Sequence, residues 1–183
     1  YIGGICGYSS GGYSDSAVIE ACGNEGLVGC REGTGQLKGG IAGEASYTNI
    51  TQCYNRAEIR SNGNLTGGIV GQMRSGAYLT DCYNTGNITA RAFAVGGLAG
   101  KSNGSSSNSG ITNCYTAGEV KEGLQNFGAF LGDYNGGKIE NCYCLIEENG
   151  INAGLRAVGI EETTLPAPIV VKSAADQMKT ALF

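Results

Sequence analysis

A glycine-rich phrase recurs along the chain about every 30 residues, and each copy is followed by a cysteine. The phrase consists of two glycines, an apolar residue, a variable residue and a third glycine, and its fifth copy is degraded. The copies begin at Gly3, Gly39, Gly67, Gly96 and Gly128, and the cysteines are Cys22, Cys53, Cys82, Cys114 and Cys142. Successive cysteines are 31, 29, 32 and 28 residues apart. A fixed period of this length indicates stacked repeats that bury one continuous core.

Each repeat contains three short apolar segments, separated by Gly, Asn, Ser and Thr and without helical periodicity, which is typical of strands. Glycine occupies 33 of 183 positions, and each glycine inside a helix would cost about 1 kcal/mol relative to alanine. Helix is therefore excluded for residues 1–148. Three strands joined by turns make one coil, and stacked coils pair their backbones about 4.8 Å apart. The prediction is an all-β fold, a parallel β-solenoid (β-helix) of about five coils with about 30 residues each.

The glycines and asparagines of the repeat are expected at the corners of the coil. A sharp corner often needs a positive φ, which glycine adopts without steric penalty. Asparagine also tolerates the left-handed region and bonds its own backbone, so Asn24, Asn55 and Asn84 are predicted to lie in turns. If they stack in register, their side chains can form an amide ladder.

The repeats occupy residues 1–148, and residues 149–183 lose their register while remaining in the same domain. This second segment is predicted to form an irregular last half-coil, an extended linker around Pro166 and Pro168, and a short C-terminal helix from Ser173 that caps the open coil. The chain opens inside a repeat, so it is expected to be part of a longer polypeptide.

Charge and hydropathy exclude two classes of partner. The formal net charge is −4, and the twelve Lys and Arg residues are scattered, which argues against a nucleic-acid or anionic-membrane surface. No apolar run approaches 18 residues, so no direct membrane insertion is expected.

The eight cysteines allow a disulfide framework, a metal site or a ladder of free thiols. Cysteines in one slot of successive coils lie within disulfide range, but direct stacking keeps their Cβ atoms farther apart than a relaxed bridge prefers, so the free-thiol ladder is favoured. The chain has no histidine and lacks a zinc-like cysteine spacing, so neither a metal nor a cofactor is expected. Whether Cys6, Cys22, Cys30 and Cys144 form disulfides stays open.

A tyrosine follows four of these cysteines, and an aromatic column on a β surface is a candidate ligand contact. The four residues are Tyr54, Tyr83, Tyr115 and Tyr143. Packing of the rings on one another, which contributes about 0.5 to 1.5 kcal/mol per pair beyond area burial, is the favoured explanation of the column. Isoleucine and cysteine are expected to face inward, with tyrosine partly covered at a corner; because their spacing has opposite parity, a bulge or corner must intervene.

Catalysis has little support in the sequence, and the chain is predicted not to be an enzyme. Histidine, the usual base, is absent, and a glycosidase or lyase would need converging carboxylates. Glu20 and Glu140 share one slot of the repeat, with Asp81 beside that slot in another coil, but the two glutamates are expected to lie at least three coils apart. The alternative hypothesis is a β-helix enzyme, a glycosidase or lyase, that acts on polysaccharide.

Three copies of the glycine phrase and two Cys-Tyr-Asn triplets resemble the GLUG repeat. The matching segments are residues 40–43, 68–71, 97–100, 53–55 and 82–84. The resemblance covers residues 3–148, with departures at Gly23 and Cys144, which stand where tyrosine and asparagine are expected.

Resemblance to that family implies a non-catalytic module. GLUG repeats occur in large secreted or wall-anchored bacterial proteins, including IgA-cleaving metallopeptidases. The resemblance therefore implies a stalk or adhesion module that is extracellular and attached to the cell surface. Its partner would be the rest of a larger surface polypeptide, with a host protein or glycan as candidate ligand of the variable loops at residues 8–17 and 101–110.

Overall fold

A computed structural model describes residues 1–29, 35–104, 108–161 and 169–172. Within these ranges the chain forms the predicted parallel β-solenoid, and no helix occurs. Cys30, most of the predicted linker and the predicted cap helix at residues 173–183 lie outside the described residues. The described part also contains no helix of the length and hydrophobicity that crossing a membrane requires.

Each complete coil contributes five short strands rather than the three predicted. The first coil has β1 (Ile2–Gly3), β2 (Cys6–Ser10), β3 (Ala17–Glu20), β4 (Gly23–Asn24) and β5 (Val28–Gly29). The second has β6 (Lys38–Gly39), β7 (Ala42–Ser46), β8 (Thr48–Thr51), β9 (Tyr54–Asn55) and β10 (Ile59–Ser61). The third has β11 (Thr66–Gly67), β12 (Val70–Arg74), β13 (Tyr78–Thr80), β14 (Tyr83–Asn84) and β15 (Ile88–Ala90). The fourth has β16 (Val95–Gly96), β17 (Ala99–Asn103), β18 (Gly110–Thr112), β19 (Tyr115–Thr116) and β20 (Val120–Lys121).

The later coils are incomplete in the described residues. The fifth has β21 (Phe127–Tyr134), β22 (Lys138–Glu140) and β23 (Tyr143–Leu145), and a partial sixth has β24 (Arg156–Glu161) and β25 (Val170–Lys172). The strands build four parallel sheets along the axis: β1-β6-β11-β16-β21-β17-β12-β7-β2 with β24 on β21, β22-β18-β13-β8-β3, β25-β23-β19-β14-β9-β4, and β20-β15-β10-β5. Four turns are therefore complete, fewer than the five predicted.

A change in one apolar slot explains why the fourth sheet stops at β20. The residue six places after the cysteine is Val or Ile in the first four repeats, but it is Glu148 in the fifth. The side chain of Asn152 takes the place of a pairing strand: its Oδ1 accepts from Val120 N at 2.8 Å, and its Nδ2 donates to Gly118 O at 3.1 Å. A buried amide thus satisfies the exposed edge of β20.

The core consists of apolar columns that continue from coil to coil. The apolar residue of the glycine phrase is fully buried in coils two to five, as Ile41, Ile69, Leu98 and Phe130. Its equivalent in the first coil, Ile5, is 46% exposed, because no described coil precedes it. The interior coils therefore carry the packed core, and the first coil covers one end of it.

The glycines of the phrase serve close approach, so the prediction of positive φ at them is wrong. A Cβ on Gly39 would overlap the carbonyl oxygen of Ala42, and one on Gly40 would overlap that of Gly68 in the next coil. The left-handed residues instead stand directly before the ladder cysteines: Ala21, Gln52, Asp81, Asn113 and Asn141, with φ between 49° and 54°. This is the predicted corner, and it lets isoleucine and cysteine both face inward.

The asparagines form the predicted amide ladder, but they lie inside strands β4, β9 and β14 rather than in turns. Asn24 Nδ2 donates to Asn55 Oδ1 at 2.7 Å, and Asn55 Nδ2 donates to Asn84 Oδ1 at 2.7 Å. Each Nδ2 also donates to the carbonyl two residues on, at 2.9 to 3.0 Å. Asn55 and Asn84 are fully buried, and these bonds satisfy their side chains.

Candidate ligand-binding surface

The four predicted tyrosines lie one above another on the outside of the solenoid. They are Tyr54, Tyr83, Tyr115 and Tyr143, paired in register and each half-buried. The cysteine before each tyrosine is buried, as is the isoleucine or leucine three positions earlier. Isoleucine and cysteine inside, and tyrosine partly covered beside the corner, are thus confirmed for coils two to five.

The rings of this tyrosine column cover one another's faces. Tyr54 and Tyr83 stack with centroids 5.3 Å apart and planes 9° apart, and Tyr83 and Tyr115 stack at 5.1 Å and 5°. On its other side Tyr54 lies over Gly23, where a Cβ would overlap the ring. A sugar that stacks on an aromatic residue needs an open face, whereas Tyr83 offers its edge and hydroxyl. A ligand role for the column stays a prediction, and the contact it predicts is a hydrogen bond and not ring stacking.

Arg56 contacts two neighbouring tyrosines of the column. The guanidinium of Arg56 lies 4.6 Å from the centroid of the Tyr54 ring, and its Nη2 donates to Tyr83 Oη at 2.8 Å. The hydrogen bond with Tyr83 raises the pKa of Arg56. Arg56 also pairs with Glu25 at 3.4 Å. Burial, and then the neighbouring Tyr83, raises the pKa of Tyr115, so the hydroxyl of Tyr115 is protonated near pH 7.

The cysteines behind the column form the predicted ladder of free thiols, as far as the chain is described. Each ladder thiol donates to a carbonyl two residues earlier, as Cys82 does to Thr80 O at 3.2 Å, and a second carbonyl of the preceding coil lies nearby. A hydrogen bond with the thiol of Cys114 raises the pKa of Cys82. Burial raises the pKa of Cys142 to about 11. The thiols of Cys82 and Cys142 are therefore protonated and weakly nucleophilic at neutral pH.

Cys6 and the first ladder cysteine, Cys22, lie in the first coil, and Cys144 lies in the fifth coil. Cys6 and Cys22 are half-buried in the first coil, and burial is the first cause that raises the pKa of each. Cys144 is buried in the asparagine column, where burial raises its pKa to about 12. The described residues contain no group of three or more potential ligands that could hold a metal ion.

The carboxylates considered for catalysis do not converge. Glu20 and Glu140 occupy one column, separated by Thr51, Thr80 and Thr112 in successive coils. Four strand spacings put them about 19 Å apart, beyond the roughly 5 to 9.5 Å that glycoside hydrolysis requires. Asp81 is exposed beside them and accepts from Asn113 Nδ2 at 2.9 Å.

Two buried carboxylates, Glu44 and Asp133, each pair with a basic side chain, and neither pair was predicted from the sequence. Glu44, 3% exposed, accepts from Arg74 Nε at 2.7 Å, and Lys101 Nζ lies 2.7 Å from Asp133 Oδ2. Glu44, Lys101 and Asp133 lie in one register column with Gln72, whereas Arg74 lies two residues further along the strand of Gln72. Lone acidic and basic residues in different repeats carry no pairing signal until the register brings them together.

No family model matches the chain, and no curated protein matches it. Among solved structures, the chain is similar to the crystal structure of a putative immunoglobulin A1 protease from Bacteroides ovatus, with 25% sequence identity and a TM-score of 0.73. The similarity covers 99% of this chain and 58% of that chain. This chain is thus a β-solenoid that spans little more than half the length of its structural neighbour.

Proposed function

We propose that the chain is a non-catalytic structural or adhesion module, a stalk or spacer of an extracellular bacterial surface protein. The observation that carries the proposal is that the thiols, amides and tyrosines repeated in successive coils are engaged in ladders along the axis. The thiols bond to backbone carbonyls, the amides to one another, and the tyrosine rings stack. Such ladders hold successive coils rigidly together and occupy the groups that a reaction would need.

The resemblance to the solved structure supports an extracellular bacterial setting for this module. That neighbour is described as a putative immunoglobulin A1 protease, and 58% of its length corresponds to almost all of this chain. A solenoid that forms one part of such a longer polypeptide fits a spacer between other segments. The GLUG resemblance points to the same role, with the rest of a larger surface polypeptide as partner.

Adhesion through the variable loops is the second part of the proposal. The loop at residues 11–17 leaves the coil between β2 and β3, and its residues 12–16 are exposed. Loops that project from a rigid scaffold are where binding residues concentrate. The stacked coils would then hold the loop at a fixed distance from the attachment point.

The test combines binding and turnover measurements on the 183-residue chain. The labelled protein is applied to an array of oligosaccharides and mucins, and the same polysaccharides are incubated with it and analysed for shortened products. We expect bound ligand or silence, and in both cases intact polysaccharide. Shortened products that depend on Glu20, Glu140 or Asp81 would replace this proposal with the β-helix enzyme.

A further inference from the structure

Tyr13 is the most exposed large hydrophobic residue in the described chain. Its exposure is 85%, whereas the four tyrosines of the column are half-buried. It meets Tyr47 edge to face, with ring centroids 6.1 Å apart and planes 62° apart. In this arrangement one ring supports the other without covering both of its faces. Tyr13 therefore presents an open aromatic face, which Tyr54 and Tyr83 of the column lack.

The supporting tyrosine is held in a specialised position. Tyr47 has φ of 45°, a left-handed conformation that is a genuine outlier for a bulky residue. Its ring lies over Gly76 of the next coil, where a Cβ would overlap the ring, and Gly76 itself has φ of 73°. Backbone strain of this kind costs about 1 to 3 kcal/mol and persists only where the surroundings enforce it. Tyr47 in the second coil and Gly76 in the third thus together position the Tyr47 ring.

The loop that carries Tyr13 is fastened at both ends to the same residue. The carbonyl oxygen of Tyr47 accepts from Gly11 N at 3.1 Å and from Ala17 N at 2.9 Å. Inside the loop, Gly12 N donates to Asp15 O at 2.8 Å. Tyr47 therefore supports Tyr13 through its side chain and closes the loop through its backbone. A ring held in this way loses little conformational entropy when it binds a partner.

We infer that Tyr13, supported by Tyr47, forms a glycan-binding site whose ligand stacks the apolar face of a sugar ring on Tyr13. The inference rests on the proposed adhesion through the variable loops, and it moves the aromatic contact from the tyrosine column to the loop. Exposed Ser14, Asp15 and Ser16 flank the ring and supply hydroxyl and carboxylate groups for sugar hydroxyls. One open ring with polar neighbours suits a sugar better than a protein, whose interfaces need a larger apolar centre.

The test measures binding of the full chain to an array of immobilised neutral oligosaccharides and mucins. Tyr13→Ala is expected to lower the apparent affinity at least tenfold, while Tyr13→Phe, which keeps the ring face, stays within about threefold of the unchanged protein. Phe93→Ala is the matched control, because Phe93 is an aromatic residue of another loop and is 50% exposed. This control is expected to bind normally, and all variants to keep the same unfolding temperature.

Four other results separate this inference from the proposed function. Binding that survives Tyr13→Ala but is lost in Tyr83→Ala overturns the inference, returns the contact to the column and leaves adhesion standing. Silence of the unchanged protein across the array also overturns it and leaves the spacer role. Equal binding to deglycosylated mucin overturns it in favour of a protein partner. Cleavage of a glycan whose binding depends on Tyr13 supports the site and overturns the non-catalytic proposal.

Discussion

Within its described residues the solenoid has one buried and one exposed ladder of side-chain hydrogen bonds, and the two differ in their surroundings more than in their geometry. The buried ladder comprises Asn24, Asn55 and Asn84, with bonds of 2.7 Å. The exposed ladder comprises Asp81, Asn113 and Asn141, with bonds of 2.9 and 3.2 Å. Any amide column in register on parallel strands can form such a chain of bonds. What a ladder contributes to stability depends on whether water competes for its donors and acceptors.

Breaking the buried ladder at its centre is expected to have the largest effect. Asn55→Ala removes the acceptor of Asn24 Nδ2 and the donors to Asn84 Oδ1 and Ala57 O. Asn24 and Asn84 keep their bonds with Gly26 O and Gly86 N. Each of the three lost buried bonds still leaves a donor or acceptor position unfilled at about 1 to 3 kcal/mol, so the free energy of unfolding should fall by about 4 kcal/mol or more. Urea denaturation followed by circular dichroism measures it. A loss below that of Asn113→Ala, its counterpart outside, would contradict the role given to burial.

The packing beneath the buried ladder gives the next largest effect. A Cβ on Gly68 would overlap the carbonyl oxygen of Gly97 and the side-chain amide of Asn84. Gly68→Ala should therefore destabilise the protein by about 2 to 3 kcal/mol, as overpacking does in a tight core. Gly12→Ala is the control, because the nearest atom to its added Cβ is 4.0 Å away. Equal unfolding midpoints for the two variants would show that the coils can separate to admit a methyl group.

High pH is expected to lower the stability of the protein through two thiols buried in its interior. Folded Cys142 and Cys144 have pKa values of about 11 and about 12, raised by burial from 9.0. The unfolded chain loses these protons first, so stability is complete below pH 9 and falls as the pH rises toward 11 to 12. Each thiol contributes a slope of about 1.4 kcal/mol per pH unit. Urea midpoints at pH 8, 9 and 10 test this, and Cys144→Ala should reduce the slope.

The sequence predicted the features that depend on register and missed those that depend on approach in three dimensions. The cysteine spacing was sufficient to predict the stacked coils, and Asn24, Asn55 and Asn84 to predict a ladder. The burial of that ladder and the steric role of Gly40 follow from the distance to the next coil, which no repeat pattern encodes. Lys38 is another feature that the repeat does not predict: it is fully buried, with Nζ 3.2 Å from Ser61 Oγ. The other positions of its column hold isoleucine, threonine, valine and phenylalanine.

The proposed site at Tyr13 was predicted less well than the fold, because Tyr13 lies outside the repeat. The tyrosine column was visible as a periodic feature, and for the same reason its rings cover one another. Tyr13 lies in the variable loop at residues 8–17, which was predicted as a ligand contact, but it has no counterpart in the repeat, so periodicity could not single it out. Its support, Tyr47, is a bulky residue in a left-handed conformation, which residue preferences would not predict.

A substitution in the exposed ladder is expected to have the smallest effect. Asn113 has φ of 54°, a conformation that glycine adopts without steric cost. Asn113→Gly removes two exposed hydrogen bonds that water replaces, and it relieves the left-handed backbone. The free energy of unfolding should therefore change by no more than about 0.5 kcal/mol, as is usual for surface positions. Asn113→Ala loses the same bonds but keeps a Cβ at positive φ, so it should cost about 1 kcal/mol more. If urea denaturation shows that the glycine variant loses as much as Asn55→Ala, the exposed ladder supports the coil as strongly as the buried one, and burial is not what separates them.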